Sequence, residues 1–202
     1  MDLFSTDPNA NLLPQDGVVH YQSAFLSPAE SARYFASLRN EIPWRSDEVT
    51  MFGKTIVTAR KVAWFGDAGL DYTYSGKTKS PLPWTDLLRE LKRLTEEQTG
   101  QLFNSCLLNF YHDGSEGMGW HRDNESSIIP HYSTIACVSL GAERRFHFKH
   151  TTTKERITME LASGSLLLME GETQTQWLHA LPKSKRVSVP RISLTFRQMK
   201  SS

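Results

Sequence analysis

The sequence has 202 residues, 39% of them apolar, and its 23 basic and 22 acidic side chains give a formal net charge of +1. This length suits one well-packed domain rather than two. The near-zero charge excludes a protein that binds polyanions through its overall charge. The charge is nevertheless uneven, because six basic residues and no acidic residue follow Glu172. A basic C-terminal region fits an anionic substrate or partner, although a solvated basic surface would give the same pattern.

The cysteines and the amino terminus bear on the compartment. Cys106 and Cys137 lie within apolar runs, which predicts buried free thiols rather than a disulfide framework. The first residues lack a basic segment followed by an apolar core, so no signal peptide is expected, and no apolar run is long enough to cross a bilayer. We therefore expect a monomeric intracellular protein that does not enter membranes, cytoplasmic in a bacterium or nuclear in a eukaryote.

Two helices are predicted in the first half of the chain. A capping-box pattern at Ser27–Glu30, with proline at the first helical position, starts a helix that should end near Asn40. The second helix is predicted over Pro83–Thr99, where leucines recur at helical spacing, and Gly100 is placed to end it.

The chain after Gly100 is predicted to be β-structure, with short strands separated by Gly, Asp, Lys and Pro turns. Seven short strands behind two helices indicate a mainly β fold with supporting helices, either a sandwich or a barrel. The predicted strands are Cys106–His112, Thr134–Leu140, Arg145–Lys149, Arg156–Leu161, Ser165–Met169, Thr175–Leu178 and Arg191–Arg197.

The last predicted strand has one polar and one apolar face. Its polar face carries Arg191, Ser193, Thr195 and Arg197, and its apolar face carries Ile192, Leu194 and Phe196. Such a polar face ordinarily contacts water, but in a barrel packed on its outer side the same face lines the interior. Buried arginines then need anions. A small dicarboxylate would fit between two arginines whose Cα atoms lie roughly 20 Å apart on one strand.

His121, Asp123 and His179 are the candidate metal ligands. Two imidazoles and one carboxylate match the three-ligand set that leaves half of an iron coordination sphere open for oxygen chemistry. Residues two apart on an extended segment share one face, so the side chains of His121 and Asp123 should point together. A lone His-x-Asp is weak evidence, but the third ligand and the two arginines that follow strengthen it.

These motifs occur together, in the order Asn109-x-Tyr111, His121-x-Asp123, His179 and Arg191-x5-Arg197. Over residues 49–199 they resemble the signature of the AlkB-type iron(II)/2-oxoglutarate dioxygenases. The resemblance implies a double-stranded β-helix (jelly-roll) core and an iron(II) site at His121, Asp123 and His179, using O2 and 2-oxoglutarate. It also implies that Arg191 binds the distal carboxylate of 2-oxoglutarate, with the remaining contacts made by Arg197, Asn109, Tyr111 and Thr195.

The segment before the catalytic motifs is similar to the nucleotide-recognition lid of the duplex-DNA-acting AlkB branch. The matching stretches are Met51–Lys54, Arg60-Lys61, Phe65–Asp67 and Tyr72–Gly76. The resemblance implies that Phe52 fills the gap left by a flipped base and that Tyr74 and His121 stack on that base. Further substrate contacts are expected from Arg60, Tyr72, Ser75 and Glu125. Packing of a hairpin phenylalanine, or of two tyrosines across strands, would give the same pattern.

The implied organisation is a single domain over 1–202, with N-terminal helices and lid in 1–100 and the catalytic core in 101–199. The implied function is oxidative dealkylation of 1-methyladenine and 3-methylcytosine type lesions in single- or double-stranded DNA, coupled to conversion of 2-oxoglutarate to succinate with release of formaldehyde. Asn124 stands where the vertebrate duplex-acting member has aspartate, and the 149–156 segment is shorter than its basic loop. RNA demethylation, a catalytically silent nucleic-acid-binding module, and hydroxylation of small molecules or proteins remain alternatives.

Overall fold

The described part of the chain comprises residues 10–51, 54–70, 72–74, 77–123 and 134–200 of a computed structural model, with the backbone alone described at 47–51, 54–56, 72–74 and 77–79. Strands dominate it. In chain order the elements are β1 (Val18–Gln22), α1 (Pro28–Glu41), β2 (Arg45–Met51), β3 (Lys54–Gly66), β4 (Tyr72–Tyr74), β5 (Lys77–Lys79), α2 (Asp86–Thr99), β6 (Ser105–Tyr111), β7 (Met118–His121), β8 (Ile135–Gly141), β9 (Arg144–His150), β10 (Arg156–Leu161), β11 (Ser165–Glu170), α3 (Thr173–Gln176), β12 (Trp177–Leu181) and β13 (Arg191–Arg197).

The strands form two main antiparallel sheets. The larger has seven strands in the order β1-β11-β8-β13-β6-β3-β2, and the smaller has four in the order β10-β9-β12-β7. Strands β4 and β5 pair with each other as a separate ribbon. The predicted mainly β jelly-roll class with supporting helices is confirmed.

Alternating side chains of the large sheet divide its apolar residues between two layers. One cluster joins Leu108, Val138 and Leu194 to residues of both long helices, among them Leu38 and Leu91. The other cluster joins the opposite face of the large sheet to the small one, through residues that include Ile135, Leu167, Phe148, Met159 and Trp177. Helices therefore cover one face of the large sheet and the small sheet covers the other. The space between the sheets is where β13 places its polar face.

Both long helices begin at side-chain caps. The Ser27 hydroxyl accepts from the Glu30 amide at 3.3 Å, and the Glu30 carboxylate accepts from the Ser27 amide at 2.9 Å, which completes the predicted capping box. Helix α2 begins at Asp86 rather than at the predicted Pro83, because the Thr85 hydroxyl caps the Leu88 amide at 3.2 Å. Gly100 ends it with φ of 68°, in the left-handed region that favours glycine.

The predicted strand Thr175–Leu178 is wrong at its start. Thr173–Gln176 form one helical turn, and β12 begins only at Trp177. The Thr173 hydroxyl accepts from the Val18 amide at 3.0 Å and donates to the Glu170 carbonyl at 2.6 Å. These contacts with other segments outweigh the β-propensity of the threonines. Strand bounds were predicted only after Gly100, so those of β1 to β5 were not predicted, and β7 was not predicted either.

Two composition-based expectations can be compared with the structure. Cys106 and Cys137 are buried free thiols, as predicted. Among the described residues, no helix is long and apolar enough to cross a membrane.

Candidate active site

A cavity of about 270 Å³ lies between the two sheets. Strand β13 contributes Arg191, Ser193, Thr195 and Arg197 to its wall, whereas Ile192, Leu194 and Phe196 pack in the helix-side cluster. The alternation predicted from the sequence therefore places the polar face inward. The other lining residues are Leu107, Asn109, Tyr111, Met118, His121, Arg122, Asp123, Cys137, Phe146, Met169, His179 and Leu181.

His121, Asp123 and His179 converge at this cavity. One ligand-type atom from each lies within 4.8 Å of the others, close to the span that one ion bridges with bonds of about 2.1 Å. Strands β7 and β12 pair so that His121 lies opposite His179 in register, and Asp123 follows two residues after the first histidine. The pairing of two distant strands thus assembles a site whose members are far apart in sequence.

A hydrogen bond, an ion-pair contact and an aromatic contact orient these side chains. The Nδ1 atom of His121 lies 2.8 Å from the Gly119 carbonyl oxygen, so Nδ1 carries the proton and the lone pair of Nε2 is available to a metal. The Nε2 atom of His179 lies 3.6 Å from Oδ2 of Asp123, and the ring of Phe146 stacks on that imidazole at 5.5 Å between centroids. Two imidazoles and a carboxylate, converging with one side open to a cavity, fit iron(II).

The electrostatics favour the ligand forms of these groups. Burial raises the pKa of Asp123, but the charges of Arg197, His179 and His121 outweigh it, so the pKa of this carboxyl lies below its usual value. The pKa of His179 is lowered to about 4, chiefly by burial, which the attraction of Asp123 opposes. At neutral pH the site therefore holds a carboxylate and a neutral imidazole, the forms that bind a metal.

The two arginines of β13 have different partners. The Arg197 guanidinium donates to Oδ1 of Asp123 at 2.6 Å, and both side chains are buried. Arg191 is 2% exposed and donates to the Ser139 hydroxyl at 2.8 Å, and no carboxylate among the described residues forms an ion pair with it. Asp123, itself a candidate metal ligand, is thus an anion at Arg197 within the protein, while both arginines line the same cavity.

Asn109, Tyr111 and Thr195 complete the polar wall. Tyr111 lies directly opposite Arg191 on β6, with the guanidinium carbon 5.6 Å from the ring centroid. Oδ1 of Asn109 is buried without a hydrogen-bond partner among the described residues, so this acceptor is available to a bound molecule. The structure thus brings all the expected cofactor-binding residues to one cavity.

Sequence reasoning missed several residues around the site. Gln174, in the unpredicted turn α3, accepts from the Asp123 amide at 2.9 Å. Arg144 is 1% exposed and donates to the carbonyls of Glu116 and Pro182 at 2.7 and 2.8 Å, which ties the loop before β7 to the end of β12. Ser139 could have been found, because it shares the cavity-facing side of β8 with Cys137, whereas nothing local to Gln174 or Arg144 signals their contacts.

The predicted substrate contacts are only partly within the described residues. Arg60 on β3 is 6% exposed and donates to the Met118 sulfur at 3.1 Å, which places it at the β7 side of the cavity. Tyr72 and Tyr74 lie on β4, where only the backbone is described. The other predicted contacts, Phe52, Ser75 and Glu125, and the departure at Asn124, lie outside the described residues.

Comparison with known families agrees with this geometry. The model of the 2OG-Fe(II) oxygenase superfamily matches residues 17–197. The chain belongs to this superfamily. As a 2OG-Fe(II) oxygenase it is an enzyme that uses Fe(II), 2-oxoglutarate and O2, and the His-Asp-His site fits that requirement.

Relatives in the AlkB group resemble most of the chain. The DNA oxidative demethylase ALKBH2 of Mus musculus is 39% identical over 95% of this chain and 84% of that protein. The ALKBH2 protein of Homo sapiens is 38% identical over 96% of this chain and 78% of that protein. The human alpha-ketoglutarate-dependent dioxygenase alkB homolog 3 is 37% identical over 86% of this chain and 63% of that protein. The AlkB-type resemblance is thereby confirmed.

Solved structures share the fold. OsALKBH1 superposes with a TM-score of 0.62 at 15% identity, covering 92% of this chain and 99% of that one. A 2OG-Fe(II) oxygenase family oxidoreductase from Burkholderia pseudomallei gives 0.59 at 16% identity, covering 93% and 87%. At such identities the likeness shows a common architecture and nothing about substrate.

Proposed function

We propose that this 2OG-Fe(II) oxygenase removes N-alkyl groups of the 1-methyladenine and 3-methylcytosine type from DNA, with release of formaldehyde. One observation carries the proposal: relatives named DNA oxidative demethylase match 95% and 96% of this chain, which itself holds a complete His-Asp-His set. RNA demethylation on the same core is the second candidate. No contact among the described residues supports hydroxylation of small molecules or proteins. Because this member of an oxygenase family holds a complete set of candidate metal ligands, a catalytically silent nucleic-acid-binding module is disfavoured.

The proposed iron ligands are His121, Asp123 and His179. Support comes from the protonation of His121 at Nδ1, which leaves the lone pair on Nε2, from the lowered pKa values of Asp123 and His179, and from the convergence of the three groups. Iron bound there would supply oxygen activation coupled to decarboxylation of 2-oxoglutarate. Arg197 would keep Asp123 ionised and fixed in one orientation, because a short charge-assisted hydrogen bond restrains the carboxylate.

The proposed 2-oxoglutarate site is the β13 end of the cavity. A buried guanidinium without a carboxylate partner among the described residues favours an anion there, so Arg191 would bind the distal carboxylate. Tyr111 would add its hydroxyl, because its ring lies against the Arg191 guanidinium. Asn109, with its unsatisfied oxygen, and Thr195 would contact the rest of the molecule, and Arg197 would contribute positive charge from beside Asp123.

The proposed roles in recognising the damaged base rest on the resemblance to the duplex-DNA-acting AlkB branch. Phe52 would fill the space left by the extruded base, Tyr74 and His121 would stack on that base, and Tyr72 and Glu125 would contact its edge. A role of Arg60 in substrate binding is supported by its position beside Met118 at the cavity. The same role for Ser75 rests on the resemblance alone.

The domain organisation, the oligomeric state and the cellular compartment are also proposals. One hydrophobic cluster joins residues of 1–100 with residues of 101–199, which supports a single domain over 1–202. We propose that the protein is an intracellular monomer, in the cytoplasm of a bacterium or the nucleus of a eukaryote. Light scattering of the purified protein would test the monomeric state.

The test is turnover on 3-methylcytosine placed in matched single-stranded DNA, duplex DNA and RNA. Formaldehyde release from DNA that requires both Fe(II) and 2-oxoglutarate is the expected result, and His179→Ala should abolish it. Full turnover by His179→Ala, or release from RNA alone, would contradict the proposal. Phe52→Ala tests the wedge, because it should lower duplex activity far more than single-strand activity, whereas equal losses would make Phe52 a packing residue.

A further inference from the structure

The outer face of the small sheet carries two cross-strand charge pairs of opposite kind. On strands β9 and β10, Arg145 lies directly opposite Glu160, and its Nε atom lies 2.9 Å from the Glu160 carboxylate. Four residues further along β9, Lys149 lies directly opposite Arg156 in the same register. Opposite charges facing each other stabilise an antiparallel pair, whereas like charges in that position destabilise it. The second pair is therefore unfavourable as it stands.

Within the described residues, neither Lys149 nor Arg156 forms an ion pair with a carboxylate. Both instead approach the ring of Trp120, which is 39% exposed: the Lys149 ammonium lies 4.6 Å from the ring centroid and the Arg156 guanidinium carbon 5.8 Å. Cation–π contacts at exposed sites contribute only about 0.5–1 kcal/mol. The ring thus holds two cations together at the surface, and their charges remain available to an anion.

The positive character of this face also shows in a neighbouring group. His147 lies between the two charge pairs on β9, and its ring centroid is 6.3 Å from that of Trp120. Its pKa is lowered, first by burial and then by the charges of Arg145 and Arg156. His147 is therefore largely uncharged at neutral pH, so the cations available to an anion on this face are Lys149 and Arg156.

The location relates this face to the active site. Trp120 immediately precedes His121 on β7 and contacts His147, Lys149 and Arg156 of the outer face, whereas His121 lines the cavity. The register between β7 and β12 shifts between Met118 and His121, so Met118 also lines the cavity although it lies two residues from Trp120. Strand β7 is the edge of the small sheet, and Met118 on it contacts Arg60 of β3 across the cavity. A DNA strand that places a base in the cavity must continue past its rim. The outward side chain on the β7 rim is Trp120.

We propose that Lys149 and Arg156, held against Trp120, bind one phosphate of the DNA strand that leads to the active site. The inference rests on the proposed action on DNA and adds a contact for the polynucleotide at the outer face of the small sheet. A phosphate between the two cations would remove their mutual repulsion, and the tryptophan would give the adjacent sugar or base an apolar surface.

The experiment measures equilibrium binding of a fluorescein-labelled 20-nucleotide single-stranded DNA at several NaCl concentrations. In Lys149→Gln/Arg156→Gln, the dissociation constant should rise about tenfold, as expected for loss of hydrogen bonds to a charged group, and the log–log salt slope should fall by about 0.7, the value for one phosphate. Arg145→Gln is the matched control. It removes one positive charge from the same face, but from a residue already paired with Glu160, so affinity and slope should stay within twofold of wild type.

The variant Trp120→Leu distinguishes the contribution of the aromatic ring from that of the two positive charges. Because it leaves both cations in place, it should weaken binding while changing the salt slope less than the double variant does. If the double variant bound DNA with the affinity and slope of the wild type, or if Arg145→Gln weakened binding equally, the proposed phosphate site would be refuted.

The failure of this proposal can be distinguished from failure of the repair function. Binding is measured on undamaged DNA without turnover, so it gives an answer even if the wild type releases no formaldehyde from alkylated DNA. With an active enzyme, the ratio of kcat/KM for a 20-nucleotide substrate to that for a trinucleotide should fall in the double variant and not in Arg145→Gln. An unchanged ratio would contradict the proposal.

Discussion

Replacement of Arg191 and of Arg197 by methionine should change the stability of the metal-free and cosubstrate-free protein in opposite directions. Arg197 forms a buried ion pair with Asp123, so Arg197→Met leaves a carboxylate in the interior without its main partner. Removal of one member of a buried pair costs about 3–5 kcal/mol. Arg191 donates to the Ser139 hydroxyl and has no carboxylate partner among the described residues. Arg191→Met therefore removes a buried cation that no anion compensates.

The expected gain from Arg191→Met is limited by what else the guanidinium does. The variant loses the hydrogen bond to Ser139, but it also ends the repulsion with Arg144, whose pKa is lowered first by burial and next by the charge of Arg191. Replacing buried ionic groups by apolar ones of similar size is often neutral or stabilising by about 1–4 kcal/mol. The lower half of that range, from about 0 to 2 kcal/mol of stabilisation, is the expectation here.

Urea unfolding with and without 2-oxoglutarate is the assay. With anaerobic Fe(II) and 2-oxoglutarate at 100 times its dissociation constant, the wild type should gain about 2.7 kcal/mol in the free energy of unfolding. Arg191→Met should lose that gain while remaining at least as stable as the wild type in its absence. Arg145→Met is the surface control and should change stability by less than about 0.5 kcal/mol. If Arg191→Met destabilised the ligand-free protein as much as Arg197→Met does, the inference that the buried charge of Arg191 is uncompensated would be wrong.

Three further predictions concern the residues around the metal site. The pKa of His179 is about 4 in the folded protein and 6.5 in the unfolded chain, so the unfolded chain takes up a proton first as the pH falls. The metal-free protein should therefore lose up to about 3 kcal/mol of stability between pH 6.5 and pH 4. Urea unfolding at each pH measures this loss, which should be smaller in His179→Gln. Gln174→Leu leaves the Asp123 amide without its acceptor, so it should cost about 1–3 kcal/mol and lower metal affinity about 10–100-fold, measured by unfolding and by metal titration. Arg144→Lys cannot reach all the carbonyls that the guanidinium reaches, so thermal unfolding should show a loss of about 1–3 kcal/mol.

The part of the fold that the sequence predicts is the part set by local patterns. The alternation over Arg191–Arg197 identified both the strand and its polar face, because an inward and an outward row differ in composition at every step. Capping residues predicted the start of α1 and the end of α2 to within a residue. Strand β7 escaped prediction because it has four residues, one of them glycine, and is held in place by pairing with β12. A strand that short carries almost no periodicity of its own.

The turn α3 shows that local sequence patterns also fail to predict some contacts within the candidate site. Its threonines favour a strand, but Thr173 contacts Val18 and Glu170, and the segment forms a helical turn instead. That turn brings Gln174 to the amide of Asp123, more than fifty residues earlier in the chain. A local propensity cannot contain such a contact, and the positioning of the candidate ligand therefore became visible only with the packing of β1, α3 and the end of β7.

The two arginines of β13 show why residue type and spacing predict a site better than they predict its electrostatics. Both arginines lie on the same face of the same strand and are buried to a similar degree, so the sequence treats them as equivalent. Pairing with β6 and β8 then places Arg191 beside Tyr111 and Ser139, whereas Arg197 lies beside Asp123. One arginine consequently has its anion within the protein, and the other has a hydroxyl and an aromatic ring. The charge left at Arg191 is what an incoming dicarboxylate would neutralise. The difference between the two arginines arises from tertiary packing, because Asp123 follows β7 of the small sheet and reaches only Arg197.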